Sequence, residues 1–520
     1  MSLELIKEII KVNQIIGTDS SQAIIDNDII VPDTKPDIAR ILILDGEASV
    51  SSTDILQDKI LINGMIGLKI LYISDDSDSS IKSINTSVGF SHTLQIPNAK
   101  SGMNCRVKCE IEHLSYDILN CRKINIKTII KIDGKLYLEI EQGVISGLKD
   151  TDNVQVLKEN IKMNSYVGDS TTSFTIAEAL EVPAGKPSIR EILRNDIKIF
   201  GKDYKITDNK IAAKGEINVS TLYVGDNEEQ GIEFMEHEIP FTQFIDLPGI
   251  NEDSGCELEY KLGDFGFEPA EDNDGEQRIL NAEIVINAYT IGSNNNNIDV
   301  VSDAYIPGSR LAIEKEPFTI EETIAENKGQ IILKDTIVLS DDCPEINEVF
   351  NVLCKPSLSD IKILDDKVII EGVVNNDVLY LANNNEQPVF CFRQEIPFRH
   401  GVDIKGIRQG MNCEPEISVE HCSYSMVSSN EVEIRLVIGL YLRVSNNIVI
   451  QLIVKIDDVG SENENNDSQP SIIIYYTKQG DTLWKIAKNY LTTIEYIENA
   501  NNLNVHSALA PGQQIIIPKS

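Results

Sequence analysis

One stretch is written three times in this chain, and that repetition limits the fold more than any other feature. The first copy opens Pro36-Asp37-Ile38-Ala39-Arg40-Ile41-Leu42, the second Pro187-Ser188-Ile189-Arg190-Glu191-Ile192-Leu193, the third Pro344-Glu345-Ile346-Asn347-Glu348-Val349-Phe350. Twenty-eight residues after each Pro stands a glycine: Gly64, Gly215, Gly372. Thirty-six residues after each Pro stands a tyrosine preceded by leucine: Leu71-Tyr72, Leu222-Tyr223, Leu379-Tyr380. The copies are offset by 151 and then 157 residues, with no gap inside the span. Upstream, Lys7, Lys158 and Lys315 keep the register, each 29 residues before its Pro.

A period near 150 is far beyond the roughly 20–50 residues of solenoid repeats, so each copy reads as a domain with its own core. The 520 residues divide as 1–150, 151–306 and 307–457 for the repeats, a polar linker at 458–471, and a small domain at 472–520. The linker carries Ser461-Glu462-Asn463-Glu464-Asn465-Asn466-Asp467-Ser468. It offers nothing to bury and reads as a disordered, solvated tether.

Within each repeat the texture is that of strands. Ile60, Ile62, Ile66, Leu68, Ile70 and Tyr72 share one parity, as do Ile211, Ala213, Ile217, Val219, Thr221 and Tyr223. Period two in β-branched residues predicts a long strand. The repeated glycine lies on that face, which marks a bulge or bend, or a close approach of another backbone, and a bend is expected. Ile38, Ile41 and Leu42 stand at i, i+3 and i+4, which predicts a helical turn after the proline. That turn plugs the core or, on the alternative reading, docks a partner. Acidic turns at Asp75–Asp78, Gly225–Glu229 and Asn383–Glu386 read as hairpin tips, and Gly147–Asn153 and Ile291–Asn297 as connections between copies. The expected fold is mainly β: three tandem sandwich- or barrel-like domains with short helices, followed by a small βααβ domain.

Charge and cysteines bound the function. Lys and Arg number 46 against 82 Asp and Glu, a net charge of −36. Such a surface repels phosphate backbones and anionic headgroups, so nucleic acid is not an expected partner. No run of 18 apolar residues suggests a membrane span, and Met1–Glu8 lacks a secretory core. The nine cysteines are scattered and odd in number, as expected of reduced thiols in a cytosolic compartment. Cys105, Cys109 and His113 share parity, but steps of four along a strand separate them by about 13 Å, too far for one zinc. Gly263-Asp264-Phe265-Gly266 holds an isolated D-F-G without the other kinase motifs. There is no phosphate-binding lysine loop, no H-E-x-x-H and no G-x-S-x-G. No enzyme, metal site or cofactor is expected.

After the linker, Ile472–Thr477 reads as a strand. Gly480-Asp481-Thr482-Leu483-Trp484 leads into a helix, with Asp481 as the expected N-cap and Leu483, Ile486, Ala487 and Tyr490 as its buried stripe. Thr492 and Glu495 fit a capping box for a second helix, on which Ile494, Ile497 and Ala500 face inward. Leu509-Ala510-Pro511-Gly512-Gln513 turns back into a strand. This order, with G-D-T-L-W at one end and L-x-P-G-Q at the other, resembles a LysM domain. The resemblance implies a shallow groove between two loops, Gly480, Asp481, Thr482, Leu483 and Ala508, Leu509, Ala510, Pro511, Gly512, suited to N-acetylglucosamine polymers such as peptidoglycan. Trp484 reads as core.

Three such repeats followed by a LysM domain resemble the SPOCS-domain proteins of spore-coat morphogenesis in anaerobic endospore formers. What the resemblance implies is a non-enzymatic scaffold in the mother-cell cytoplasm, at the forespore surface. Its LysM end would bind the coat-basement ATPase SpoIVA, with other coat proteins as further partners. The alternative is a peptidoglycan-binding protein acting through the LysM loops; the absence of an export signal favours the scaffold.

Overall fold

The computed structural model describes residues 4–76, 80–149, 154–226, 231–307, 310–384, 388–460, 472–503 and 509–518. The first repeat contributes β1 (Glu4–Ile30), β2 (Ile38–Leu56), β3 (Lys59–Ser74), β4 (Ile81–Gln95), β5 (Asn104–Asn120) and β6 (Lys123–Lys149). The second contributes β7 (Gln155–Glu181), β8 (Ile189–Thr207), β9 (Lys210–Gly225), β10 (Ile232–Asp246), β11 (Gly255–Glu271) and β12 (Gln277–Tyr305). The third contributes β13 (Arg310–Val338), β14 (Ile346–Leu364), β15 (Lys367–Ala382), β16 (Val389–Asp403), β17 (Asn412–Ser428) and β18 (Glu431–Gly460). The small C-terminal domain is β19 (Ile472–Tyr476), α1 (Leu483–Asn489), α2 (Ile494–Asn501) and β20 (Gln514–Pro518).

Each repeat is a sandwich of two three-stranded antiparallel sheets. In the first, β1–β6–β5 faces β2–β3–β4, and the other two repeats copy this order. Between the sheets lies a core from both, with Ile60, Ile62, Ile66, Leu94, Ile124, Ile130 and Ile132 fully or almost fully buried. The parity expected of β3 holds: Ile60, Ile62, Ile66, Leu68, Ile70 and Tyr72 point inward. From Ile70 to Ser74, however, every residue is buried, the signature of a strand covered on both faces.

The helical turn expected at Ile38, Ile41 and Leu42 is strand. Along β2 the register slips between Ile38 and Arg40 and again between Ile41 and Ile43, opposite Ser74–Ile73 and Tyr72–Leu71. Each bulge adds one residue to β2 and none to β3, so Ile38, Ile41 and Leu44 reach the same core at a spacing of three. A doubly bulged strand therefore imitates helical periodicity. Leu42 points the other way, toward the neighbouring repeats. The same two slips recur in β8 and β14, and among the described residues the repeats contain no helix.

The repeated residues form two contacts. Tyr72, Tyr223 and Tyr380, each fully buried, donate their hydroxyls to the carbonyls of Pro36, Pro187 and Pro344 at 3.0, 3.1 and 2.9 Å. Gly64, Gly215 and Gly372 lie opposite Phe90, Phe241 and Phe398 on the next strand. A Cβ there would stand 2.3, 2.4 and 2.4 Å from the ring. The strands run on unbroken, so the glycine serves a close approach instead of the expected bend.

Ile291–Asn297, read as a connection, lies within β12, and Gly147–Lys149 within β6. β18 reaches Gly460, and residues 461–471 lie outside the described set. The acidic turns lie between paired strands, although residues 77–79, 227–230 and 385–387 are outside that set.

The three sandwiches close on one another. Ile10, Ile161 and Phe318, with Val12, Met163 and Ile320, meet Val144, Val300 and Leu452 in one cluster. Leu71, Leu222 and Leu379 meet in another, with Leu193 and Phe350. Equivalent positions from all three repeats thus converge, which defines an approximate threefold axis within one chain. Beside the second cluster runs a polar chain across the repeats. Asp45 accepts from Arg194 at 2.9 Å and Lys355 at 3.1 Å. Asp196 accepts from Arg194 at 2.8 Å, Lys69 at 3.4 Å and Asn351 at 3.2 Å. Burial alone would raise both carboxyls, but the surrounding cations hold them well below the usual range.

Candidate functional site

The C-terminal domain is a two-stranded antiparallel sheet, β19 with β20, carrying two short helices. Its loops are built on Thr477, whose hydroxyl bridges the two of them. It donates to the carbonyl of Ala510 and accepts from the Gln513 amide at 3.0 Å. The Gly512 amide donates to the Thr477 carbonyl at 2.7 Å. Gly480 and Gly512 turn at φ of +84° and +85°, where a side chain would be strained.

These contacts set the two expected groove loops side by side. Gly480, Thr482, Ala510, Pro511 and Gly512 are exposed, Asp481 and Leu509 half-buried. Leu483 is buried in the domain core and does not face a groove. Ala508 lies outside the described residues.

Two expected caps move by one residue. Asp481 does not cap α1: its carboxylate accepts from the Lys478 amide and the Tyr475 hydroxyl, both at 2.7 Å. Those bonds close the loop and lower its pKa. Thr482 caps α1 by accepting from the Lys485 amide, and Thr493, in place of Thr492, caps α2 by accepting from Tyr496. Thr492 is buried and donates to the Pro518 carbonyl at 3.3 Å. The expected stripes hold at Leu483, Ile486, Ala487 and Ile497, while Tyr490 and Ala500 are exposed.

Trp484 is buried, and part of its cover comes from another domain. Its indole N–H donates to Asp303 on β12 at 2.9 Å. Lys488, one turn further along α1, reaches the other oxygen of that carboxylate at 2.6 Å. Tyr305 packs edge-on against Trp484, centroids 4.9 Å apart, and donates to the Thr492 carbonyl at 2.9 Å. Leu157 from β7 completes the seat. Burial raises the Asp303 carboxyl, but the bonds from Lys488 and Trp484 outweigh it, and the net shift is downward. The C-terminal domain is therefore seated on the second repeat. Sequence reasoning missed Asp303 and Tyr305, which lie about 180 residues from their partners and carry no motif.

Elsewhere, a cleft between the first and second repeats is lined by Ile6, Glu8, Lys158, Asn160, Asn297 and Asp299 among others. Cys105 and Cys109 pack against the first core, and His113 is exposed. Among the described residues no three His, Cys, Asp or Glu side chains gather as metal ligands, and no helix is long and apolar enough to cross a membrane.

A family model described as SipL, SPOCS domain, matches residues 37–119, 188–269 and 345–427, and a LysM domain model matches 475–518. No curated protein and no solved structure matches the chain. Each SPOCS match takes in the β2–β5 part of a repeat and leaves out its two long strands, β1 and β6 or their counterparts. Three SPOCS matches followed by a C-terminal LysM match give the chain the SipL-like architecture of three SPOCS domains and a LysM domain.

Proposed function

We propose that the chain is a non-enzymatic scaffold of the spore coat, acting in the mother-cell cytoplasm at the forespore surface. In this reading the three SPOCS domains are a rigid body, and the LysM domain captures the coat-basement ATPase SpoIVA. The observation that carries the protein-binding part is on β19. Ile472, Ile474 and Tyr476 alternate outward, 60%, 57% and 61% exposed. Beside them on β20, Ile516 is half-buried. An apolar stripe on so small a sheet suits a protein surface better than a hydroxyl-rich glycan.

A second reading, peptidoglycan binding, is favoured by the loops at 478–482 and 509–513. The seat on repeat two leaves them uncovered. The two readings use different faces, so one experiment separates them. The full chain, an Ile474→Asp variant and a Pro511→Arg variant are offered purified SpoIVA-like ATPase and, separately, purified peptidoglycan. The scaffold reading expects ATPase capture that Ile474→Asp abolishes and Pro511→Arg spares. Retention on peptidoglycan lost in Pro511→Arg, with no ATPase captured, would reverse the assignment.

A further inference from the structure

Cys354 on β14 and Cys422 on β17 lie on the two facing sheets of the third repeat, with their sulfur atoms 3.2 Å apart. No other two cysteine sulfurs among the described residues share a hydrogen bond. A disulfide needs about 2.05 Å, so closure by about 1 Å would join them. The equivalent positions are Gly46 and Leu114 in the first repeat and Ile197 and Phe265 in the second. The other sandwiches thus carry no sulfur at these two positions. We propose that Cys354 and Cys422 are an oxidation site that closes to a disulfide across the third sandwich.

The surroundings suit the chemistry. Both thiols are half-buried, within reach of a small oxidant yet fixed by the packing of Val352, Val378 and Ile434. Lys198 of the second repeat is anchored nearby, donating to Asn351 and to the Val352 carbonyl at 2.8 and 2.9 Å. The two thiols share one hydrogen bond in which either sulfur can donate, and the Lys198 ammonium favours a thiolate within the pair. Whichever sulfur is ionised attacks, and the other resolves.

With a peroxide as oxidant, the thiolate of the pair attacks one peroxide oxygen. The O–O bond breaks and the other oxygen leaves as hydroxide, giving a sulfenic acid. The other sulfur then attacks the sulfenic sulfur, forms the S–S bond, loses its proton and expels the second hydroxide. In total, two thiols and one hydrogen peroxide give one disulfide and two waters. The bond would fasten β14, which also carries Phe350 and Asn351 into the junction between repeats.

The test is peptide mapping of the full-length reduced protein after hydrogen peroxide, alkylation and digestion without reductant. The expected result is a peptide pair joined through Cys354 and Cys422, lighter by two hydrogens and released by dithiothreitol. The oxidised protein should also melt higher than the reduced one, and Cys422→Ser and Cys354→Ser should each abolish that rise. Recovery of both residues as alkylated thiols, as separate sulfinic acids, or bridged to other cysteines or between chains would overturn the proposal. The mapping is done on the unmodified sequence, so it does not depend on a variant folding.

Discussion

The junction between the repeats and the seat of the LysM domain share a recipe: a carboxylate at least half-buried, cationic or N–H partners on it and an apolar cover. They differ in redundancy. At the junction, two carboxylates share three cations drawn from three repeats, beside a cluster to which every repeat contributes. At the seat, one carboxylate takes one lysine and one indole, under one tyrosine and one leucine. Losing a single partner at the junction strands buried charge in the middle of a large body. Losing one at the seat undoes most of the contact and leaves both folds whole. The chain is thus read as one rigid body of three sandwiches with a separable end.

The sharpest way to break that comparison is Arg194→Ala. Arg194 is buried between Asp45 and Asp196, and its loss leaves both with fewer cations in a dry site. We expect a cost of about 3–5 kcal/mol, read by denaturant titration and shared by all three repeats. Phe350→Ala empties part of the apolar cluster and should cost about 3–5 kcal/mol; a loss confined to the third repeat would argue against a shared junction. Asp303→Ala should weaken the seat by about 1–3 kcal/mol. Faster proteolysis around residues 461–471 would report it, with the melting of the repeats unmoved. The smallest effect is that of acid. The folded pKa of Asp303 lies below its ordinary 3.8, so its contribution is complete above that value and fades as pH falls through the folded pKa. The hold on the LysM domain should weaken below about pH 4, read in a hydrogen-exchange titration.

The sequence was informative where a contact repeats at a fixed separation. Pro and Tyr stand 36 residues apart three times because the tyrosine hydroxyl bonds that proline's carbonyl. The glycine is kept because a ring occupies the place of its Cβ. The loops of the LysM end were legible because positive φ needs glycine and the strand–helix order is short. The bulges were not, since a slipped strand and a helix write the same spacing. Leu71, Leu222 and Leu379 did carry a signal for the junction: they recur off the parity of the core, which a strand covered on one face would not require. Asp303, Tyr305 and the Cys354–Cys422 pair left no trace in spacing, because each contact is made once and joins distant segments.

The most direct measurement is hydrogen exchange on the intact chain and its Asp303→Ala variant through a denaturant series. A single opening free energy should be common to the protected amides of β3, β9 and β15 in both proteins, with a separate, lower one for the LysM domain that falls further in the variant. Three distinct opening energies for β3, β9 and β15, or a fall in theirs on Asp303→Ala, would contradict the picture of one body with a separable end.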